Sequence, residues 1–321
     1  MIIIGKKLKM NLKKVKISNL HTPNNVFLAP LAGYTNSVFR AVCRGLGAGL
    51  CFTEMVSAKG LCYKSEKTEQ LLLTDGSGGI NAAQIFGNDP EFMRRACESE
   101  ALAPFELIDI NMGCPVPKIF KNGEGSALMN DIPLAEKIIS ECKKSGKLIS
   151  VKFRTGLDES RIITAEFAKA CAGAGADMIT VHGRTRDKMY SGEVNYGEIA
   201  AAKNAVNIPV IANGGVFCAA DADKLLSETG ADGVAVARGA MYRPWIFAEI
   251  TGVENYDKRD IVRGQLRKTR EIYGEKFACV FMRKMISFYL KGTPNAAFYK
   301  EKLFKAQTTC EVSDILETVN F

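Results

Sequence analysis

From about Val26 to Ile250, short apolar and β-branched runs alternate with longer stretches whose apolar residues recur at helical spacing. Strand followed by helix, repeated, is the signature of a parallel sheet, because parallel neighbours need a crossover connection between them. Eight strands are predicted, over residues 26–29, 51–55, 80–86, 107–111, 148–152, 178–182, 209–212 and 233–237. Eight such units close a (β/α)8 TIM barrel of the α/β class. Beyond Ile250 the strand signals stop, and residues 258–273, 277–290 and 295–305 show helical spacing. The chain therefore divides into a barrel over residues 1–250, with 1–20 as a basic N-terminal extension or strand, and a small C-terminal all-helical domain over 251–321. Phe281, Met285, Phe288 and Tyr289 fall on one helical face, which reads as core packing.

A weak internal repeat supports the strand count. Gly47-Ala48-Gly49, Gly175-Ala176-Asp177 and Gly230-Ala231-Asp232 each end a helical stretch and precede a strand. Glycine there can take the left-handed conformation that stops a helix. The string Gly45-x-Gly47-x-Gly49 is not a dinucleotide fingerprint, since it follows a helix instead of a strand and has the wrong spacing.

Charge changes the picture next. The chain carries 43 Lys and Arg against 35 Asp and Glu, a net charge of +8. Lys6, Lys7, Lys9, Lys13, Lys14 and Lys16 crowd its start, and Arg263, Arg267, Lys268, Arg270, Arg283 and Lys284 gather near its end. Such a balance suits a polyanionic partner. Ten scattered cysteines without a CxxC pair, and only His21 and His182 as imidazoles, indicate neither zinc nor a disulfide framework. No apolar run reaches the length of a membrane span or a signal-peptide core. The expectation is a cytoplasmic, metal-free protein, monomeric, with Met10 as a second candidate initiator after Met1.

In a barrel of this kind chemistry gathers at the carboxyl ends of the strands. Those positions here are Pro30-Leu31-Ala32-Gly33, Glu54, Gln84, Asn111 to Cys114, Lys152 with Arg154, His182 with Arg184, Asn213-Gly214-Gly215 and Arg238-Gly239. Asn213-Gly214-Gly215 precedes a helix near Ala219, so free backbone N–H groups at the helix start could hold a phosphate; two plain glycine turns are the other reading. Cys114 lies on a loop stiffened by Gly113 and Pro115 and is the best candidate for a reactive thiol, whereas Cys43, Cys51, Cys97, Cys142 and Cys171 read as buried fillers. Lys152 ends a strand and should enter the barrel mouth, where an ammonium needs an anion or an electron-rich ring. His182, also at a strand end, is either structural or a ligand to the same group.

Five segments together resemble the tRNA-dihydrouridine synthases: LAPLAGYTNSVFR at 28–40, DINMGCPVPKIFKNGEGSAL at 109–128, VKFRTG at 151–156, VHGRTR at 181–186 and IPVIANGG at 208–215. The resemblance implies an FMN-binding barrel with a C-terminal helical domain that binds tRNA. It implies that Pro30, Leu31 and Ala32 line the flavin, that Gln84 and Lys152 hydrogen-bond it, that Asn213, Gly214, Gly215, Ala237 and Arg238 hold its phosphate side, and that His182 completes the site. Asn111 would face the target uracil and Cys114 would be the proton donor, with Arg154, Arg184 and Arg186 securing flavin or RNA and Arg283 and Lys284 contacting RNA. The implied reaction is reduction of the uridine C5–C6 bond to 5,6-dihydrouridine, with NADPH or NADH as reductant, hydride from flavin N5 to C6 and a proton from Cys114 to C5. Three positions depart mildly from the family pattern: Leu31 stands where methionine is usual, Gly215 where an acidic residue is frequent and Ala237 where glycine is frequent. Met285 stands where relatives often carry histidine.

Two other readings compete. A small-molecule FMN oxidoreductase of the dihydroorotate dehydrogenase type would share the barrel, but neither the basic helical tail nor the NMGCP loop favours it. A non-catalytic RNA-binding protein on a decayed barrel would have lost its strand-end residues, and they are intact.

Overall fold

The structure, a computed structural model, describes residues 11–320. Lys6, Lys7, Lys9 and both candidate initiators lie outside the described residues. Among the described residues there are ten strands: β1 (Lys16–Ile17), β2 (Leu20–His21), β3 (Val26–Leu28), β4 (Leu50–Ser57), β5 (Asn81–Phe86), β6 (Leu107–Met112), β7 (Leu148–Arg154), β8 (Met178–His182), β9 (Val210–Asn213) and β10 (Gly233–Val236). All eight strands anticipated from the sequence form, and β3 to β10 close a parallel barrel in sequential order. The fold is a TIM barrel with further helices at its C-terminal end.

Strand periodicity decides what faces the barrel axis. Alternate residues point to opposite faces, so Val26, Leu28, Ile108, Ile110, Ile149, Val151, Ile179, Val181, Val234 and Val236 face the surrounding helices and join the large outer core. Their neighbours Phe27, Ala29, Leu50, Phe52, Ala82, Leu107, Met178, Ile211 and Ala235 fill the inside near its amino end. Continuing upward, the inward positions turn polar: Gln84, Asp109 and Ser150 are buried in adjacent register. Asn111 and Lys152 are paired one step higher, and His182 is paired with Arg154 and Asn213. The barrel is thus a packed plug below and a polar cup above.

The short hairpin β1–β2 closes the amino end. Val15 and Ile17 are buried among Phe27, Leu107, Met178 and Ile211, and the hairpin is tied by the Thr22 amide to Val15 O at 3.0 Å. The described part of the basic extension is therefore also a lid on the apolar interior.

The glycine repeat has a common structural role. Gly47, Gly175 and Gly230 adopt φ of +105°, +101° and +65°. Asp177 accepts from the Ile149 amide and Lys143, and Asp232 accepts from the Val210 amide and Lys203, each aspartate pinning a strand start to the preceding lysine-bearing helix. After β10, helices Lys258–Tyr273, Glu275–Tyr289 and Ala296–Lys305 match the anticipated ones within two residues. A fourth, Thr309–Thr318, was not anticipated; Thr308 caps it by accepting the Glu311 amide. This helical region is fastened to the loop after β3. Tyr273 Oη lies 2.9 Å from Ser37 Oγ, and Lys284 Nζ donates to Gly33 O at 2.9 Å while sitting 4.1 Å from the Tyr34 ring centre. No helix among the described residues is long and apolar enough to cross a membrane.

If the hairpin seals the barrel, Ile17→Ala should lower stability by about 2–5 kcal/mol, the cost of truncating a fully buried isoleucine. Urea unfolding would read this as a lower midpoint at unchanged slope; an unshifted midpoint would show the hairpin to be an ornament.

Candidate active site

At the carboxyl end of the barrel lies a cavity of about 400 Å³, within the range of small-molecule and cofactor sites. Pro30, Leu31, Ala32, Gln84, Lys152, His182, Asn213, Gly214, Gly215, Ala237 and Arg238 all line it, as do Asn111, Cys114, Arg154 and Arg184. Residues up to two hundred positions apart meet there because each ends a barrel strand or follows one.

The wall is cationic. Lys152, Arg154, Arg184 and Arg238 contribute to it, and no Asp or Glu is among its lining residues. Burial depresses the Lys152 ammonium, nearby Arg154 depresses it further, and Asp109 and Cys114 act in the opposite direction. The Lys152 ammonium makes no hydrogen bond or ion pair with the described residues, so its donors are left for an occupant. Burial, followed by the fields of Lys152, Arg154, Arg184 and Arg238, holds His182 well below the usual imidazole range, so it is neutral. Its Nε2 lies 3.2 Å from Arg184 Nη1. Since a guanidinium only donates, Nε2 is the acceptor and the ring proton belongs on Nδ1.

Gly214 and Gly215 form the turn after β9 with φ of +127° and +74°. A Cβ on Gly214 would press to 3.1 Å from both His182 Cδ2 and Val194 Cγ2, so glycine keeps this wall close and thin. The expectation of free N–H groups at the following helix start is narrowed to fewer amides. That helix begins at Ala219, and the Asp221 carboxylate already accepts the Phe217 and Cys218 amides at 2.8 and 3.0 Å. The glycine turn, not the helix end, faces the cavity.

Cys114 sits on the loop after β6, which three side chains hold through four hydrogen bonds. Asn111 Oδ1 accepts the Gly113 and Cys114 amides at 3.2 and 2.9 Å. Arg154 Nε donates to Gly113 O at 2.9 Å, and Ser126 Oγ donates to Cys114 O at 2.7 Å. Ser126 can come this close because Gly125, at φ +61°, lacks a Cβ that would lie 3.0 Å from that of Cys114. The second half of the 109–128 segment thus braces the first. Burial pushes the Cys114 thiol up, against smaller opposing effects of the Val116 amide, Arg154 and Lys152. At neutral pH it is a thiol that carries a proton.

Residues 27–320 match the family model described as Dihydrouridine synthase (Dus). The chain belongs to the dihydrouridine synthase family. It is 35% identical over 296 residues to the tRNA-dihydrouridine synthase B of Pasteurella multocida (strain Pm70), spanning 88% of this chain and 89% of the relative. Identity to the tRNA-dihydrouridine synthase B of Pseudomonas aeruginosa PAO1 is 35% over 309 residues, 92% of each chain. Among solved structures, histamine dehydrogenase from Rhizobium sp. 4-9 superposes with a TM-score of 0.60 at 13% identity, covering 87% of this chain and 51% of that one. A variant of NCR from Zymomonas mobilis gives 0.54 at 15% identity, with 82% and 97% covered. This chain spans about half the length of the Rhizobium protein, and at these identities the likeness concerns the fold.

Within this dihydrouridine synthase family member, three residues expected at the substrate lie outside the cavity wall. Arg186 stacks its guanidinium 3.7 Å from the Phe120 ring centre. Arg283 donates to Phe304 O and Ala306 O at 3.2 and 2.6 Å, closing the end of a neighbouring helix. Lys284 is the strut to Gly33 already described. Arg154, although in the wall, is engaged by Gly113 O and by Thr185 O at 2.9 Å. Glu54 is not a simple strand-end residue: a bulge between Phe52 and Met55 throws it toward the first loop, where it accepts the Gly33 amide. Among the lining residues that sequence reasoning missed are Tyr34, Met55, Tyr190, Phe217 and Met241. The bulge hid Met55; Tyr190 and Phe217 lie on irregular loops where no periodicity marks them. Both flank Arg238, at 5.4 and 5.6 Å from its guanidinium carbon.

Because the Cys114 pKa is raised, its thiolate should form only above the ordinary thiol range. Iodoacetamide labelling followed by peptide mass spectrometry across pH should show Cys114 reacting after the exposed Cys310, with its half-rise displaced upward. A half-rise below that of free cysteine would contradict the protonated assignment.

Proposed function

We propose that the protein is an FMN-dependent tRNA-dihydrouridine synthase that reduces the C5–C6 bond of uridines in tRNA, with NADPH or NADH as the electron source. The observation that carries the reading is the pairing, in one cavity, of a carboxylate-free cationic wall with a half-buried thiol whose pKa is raised. The donor set fits FMN: Lys152 offers an unpaired ammonium for an electron-rich ring edge, and Arg238 with the Gly214–Gly215 turn offers a cation and a close backbone for phosphate. Pro30, Leu31, Ala32 and Met55 supply apolar surface for a flat ring. Bound there, FMN supplies hydride chemistry for uracil C6.

The chain's own residues do the rest. Cys114 holds the proton that C5 receives, and burial keeps it from being lost to solvent at neutral pH. Neutral His182 adds no charge and can hydrogen-bond through Nδ1–H. Asn111 holds the thiol loop and lines the cavity where the uracil would enter. A uridine must leave its stack to reach this depth, so the exposed aromatics Tyr190 and Phe217 beside Arg238 give the displaced strand stacking and cationic contacts at the rim. Lysines and arginines of the C-terminal helices would grip phosphates without reading sequence.

The test is dihydrouridine formation from unmodified tRNA with NADPH, comparing wild type with Cys114→Ala. The variant is expected to lose about 10²–10⁴-fold in rate, the usual worth of a positioned general acid, with tRNA affinity retained. Equal rates would remove Cys114 from the mechanism. Reductant consumption by wild type with a free pyrimidine, but no product from any tRNA, would instead support the dihydroorotate dehydrogenase type of reading.

A further inference from the structure

Below the cavity floor a chain of side-chain hydrogen bonds runs from a buried carboxylate to the backbone of Cys114. Asp109 is an inward residue of β6, 1% exposed. Its Oδ1 accepts from Ser150 Oγ at 2.6 Å and its Oδ2 from Gln84 Nε2 at 2.7 Å. Gln84 Oε1 accepts from Asn111 Nδ2 at 2.9 Å. Asn111 Oδ1 accepts the Cys114 amide at 2.9 Å and the Gly113 amide at 3.2 Å.

The order of these bonds is not free. An ionised carboxylate only accepts, so the amide nitrogen of Gln84 must face Asp109. A primary amide carries its oxygen on the other side, which then faces Asn111 and draws the Asn111 nitrogen toward it. Only then does the Asn111 oxygen point at the backbone donors of the thiol loop. Turning over either amide would set donor against donor, and a buried unpaired polar group costs more than a typical hydrogen bond contributes. Barrel register supplies the geometry: Gln84, Asp109 and Ser150 are direct neighbours across three strands, and Asn111 is two residues above Asp109 on the same face.

We propose that Asp109 is a positioning residue: by fixing the direction of the Gln84 and Asn111 amides it holds the Cys114 loop, and hence the thiol, at its place in the cavity wall. It touches no substrate and acts through two other side chains. The proposal rests on the reading of Cys114 as the proton donor, but its structural content can be measured without turnover.

Asp109→Asn keeps size and shape yet offers Gln84 either a donor or an acceptor, so the chain no longer has a preferred direction. In the purified holoprotein, the rate of Cys114 alkylation by iodoacetamide at fixed pH should rise about three- to tenfold, the order expected when one hydrogen bond on the loop is lost. Asn111→Ala should give a similar rise, and the double variant no further rise, because both changes break one chain. Ser150→Ala removes a bond to the same carboxylate without cutting the chain, and should leave Cys114 alkylation at the wild-type rate. If Asp109→Asn does not fold, Gln84→Met interrupts the chain one link later and should reproduce the rise. In dihydrouridine formation, Asp109→Asn should lower kcat with the KM for tRNA unchanged. Wild-type alkylation in Asp109→Asn, or additive effects in the double variant, would overturn the proposal. A wild type that alkylates as described but forms no dihydrouridine would overturn the functional reading while leaving the positioning role standing.

Discussion

Everything at the mouth of this barrel is arranged around positive charge that the protein does not neutralise. Lys152, Arg154, Arg184 and Arg238 share the wall of one cavity without a carboxylate among them. Asp109 lies below the floor, where Gln84 and Ser150 occupy its oxygens. Ammonium and guanidinium groups removed from water need partners. Two of the arginines find backbone carbonyls, at Gly113 and Thr185 for Arg154 and at Gly192 for Arg184. The Lys152 ammonium finds none among the described residues. An electron-rich, phosphate-bearing occupant would resolve this imbalance; burial and the cationic field together keep His182 neutral, whereas Cys114 keeps its proton through burial, against that field.

The barrel makes such a site possible by separating two tasks along each strand. Outward residues are apolar, most of them branched aliphatics, and pack against helices, so the strand ends are held by packing remote from the chemistry. Inward residues change from apolar to polar about midway, which places Gln84, Asp109 and Ser150 in a dry layer between the plug and the cup. There their hydrogen bonds are strong and directional. The loop bearing Cys114 is thereby supported from below by Asn111, from the side by Arg154 and from above by Ser126, an over-determined arrangement for one short turn.

Much of this was legible in the sequence because it depends on periodicity and position. Alternation gave all eight strands, and the rule that chemistry lies at strand ends gathered the residues that line the cavity, Pro30 and Arg238 among them, though they are two hundred positions apart. What escaped was whatever depends on partners instead of period. Asp109 was read only as part of a motif, although an acidic residue at an inward strand position was itself a signal. For Arg186, Arg283 and Lys284, neither motif nor charge says whether a side chain meets a phenyl ring or a carbonyl within the protein, as these do. The last helix carried a legible start in Thr308 and Glu311, a cap three residues before an acid, whereas the bulge that exposes Met55 had no local mark. Nor does spacing reveal that, between the glycine pair and the helix, Asp221 takes the Phe217 and Cys218 amides.

The most direct test of the account is whether the cavity holds flavin. The purified protein should show the two visible absorption bands of bound FMN and release FMN in about equimolar amount on denaturation, and apoprotein of Lys152→Met should rebind it more weakly than wild-type apoprotein. A colourless wild-type protein that fails to bind added FMN would contradict the reading of the cationic cavity, whatever its likeness to its relatives.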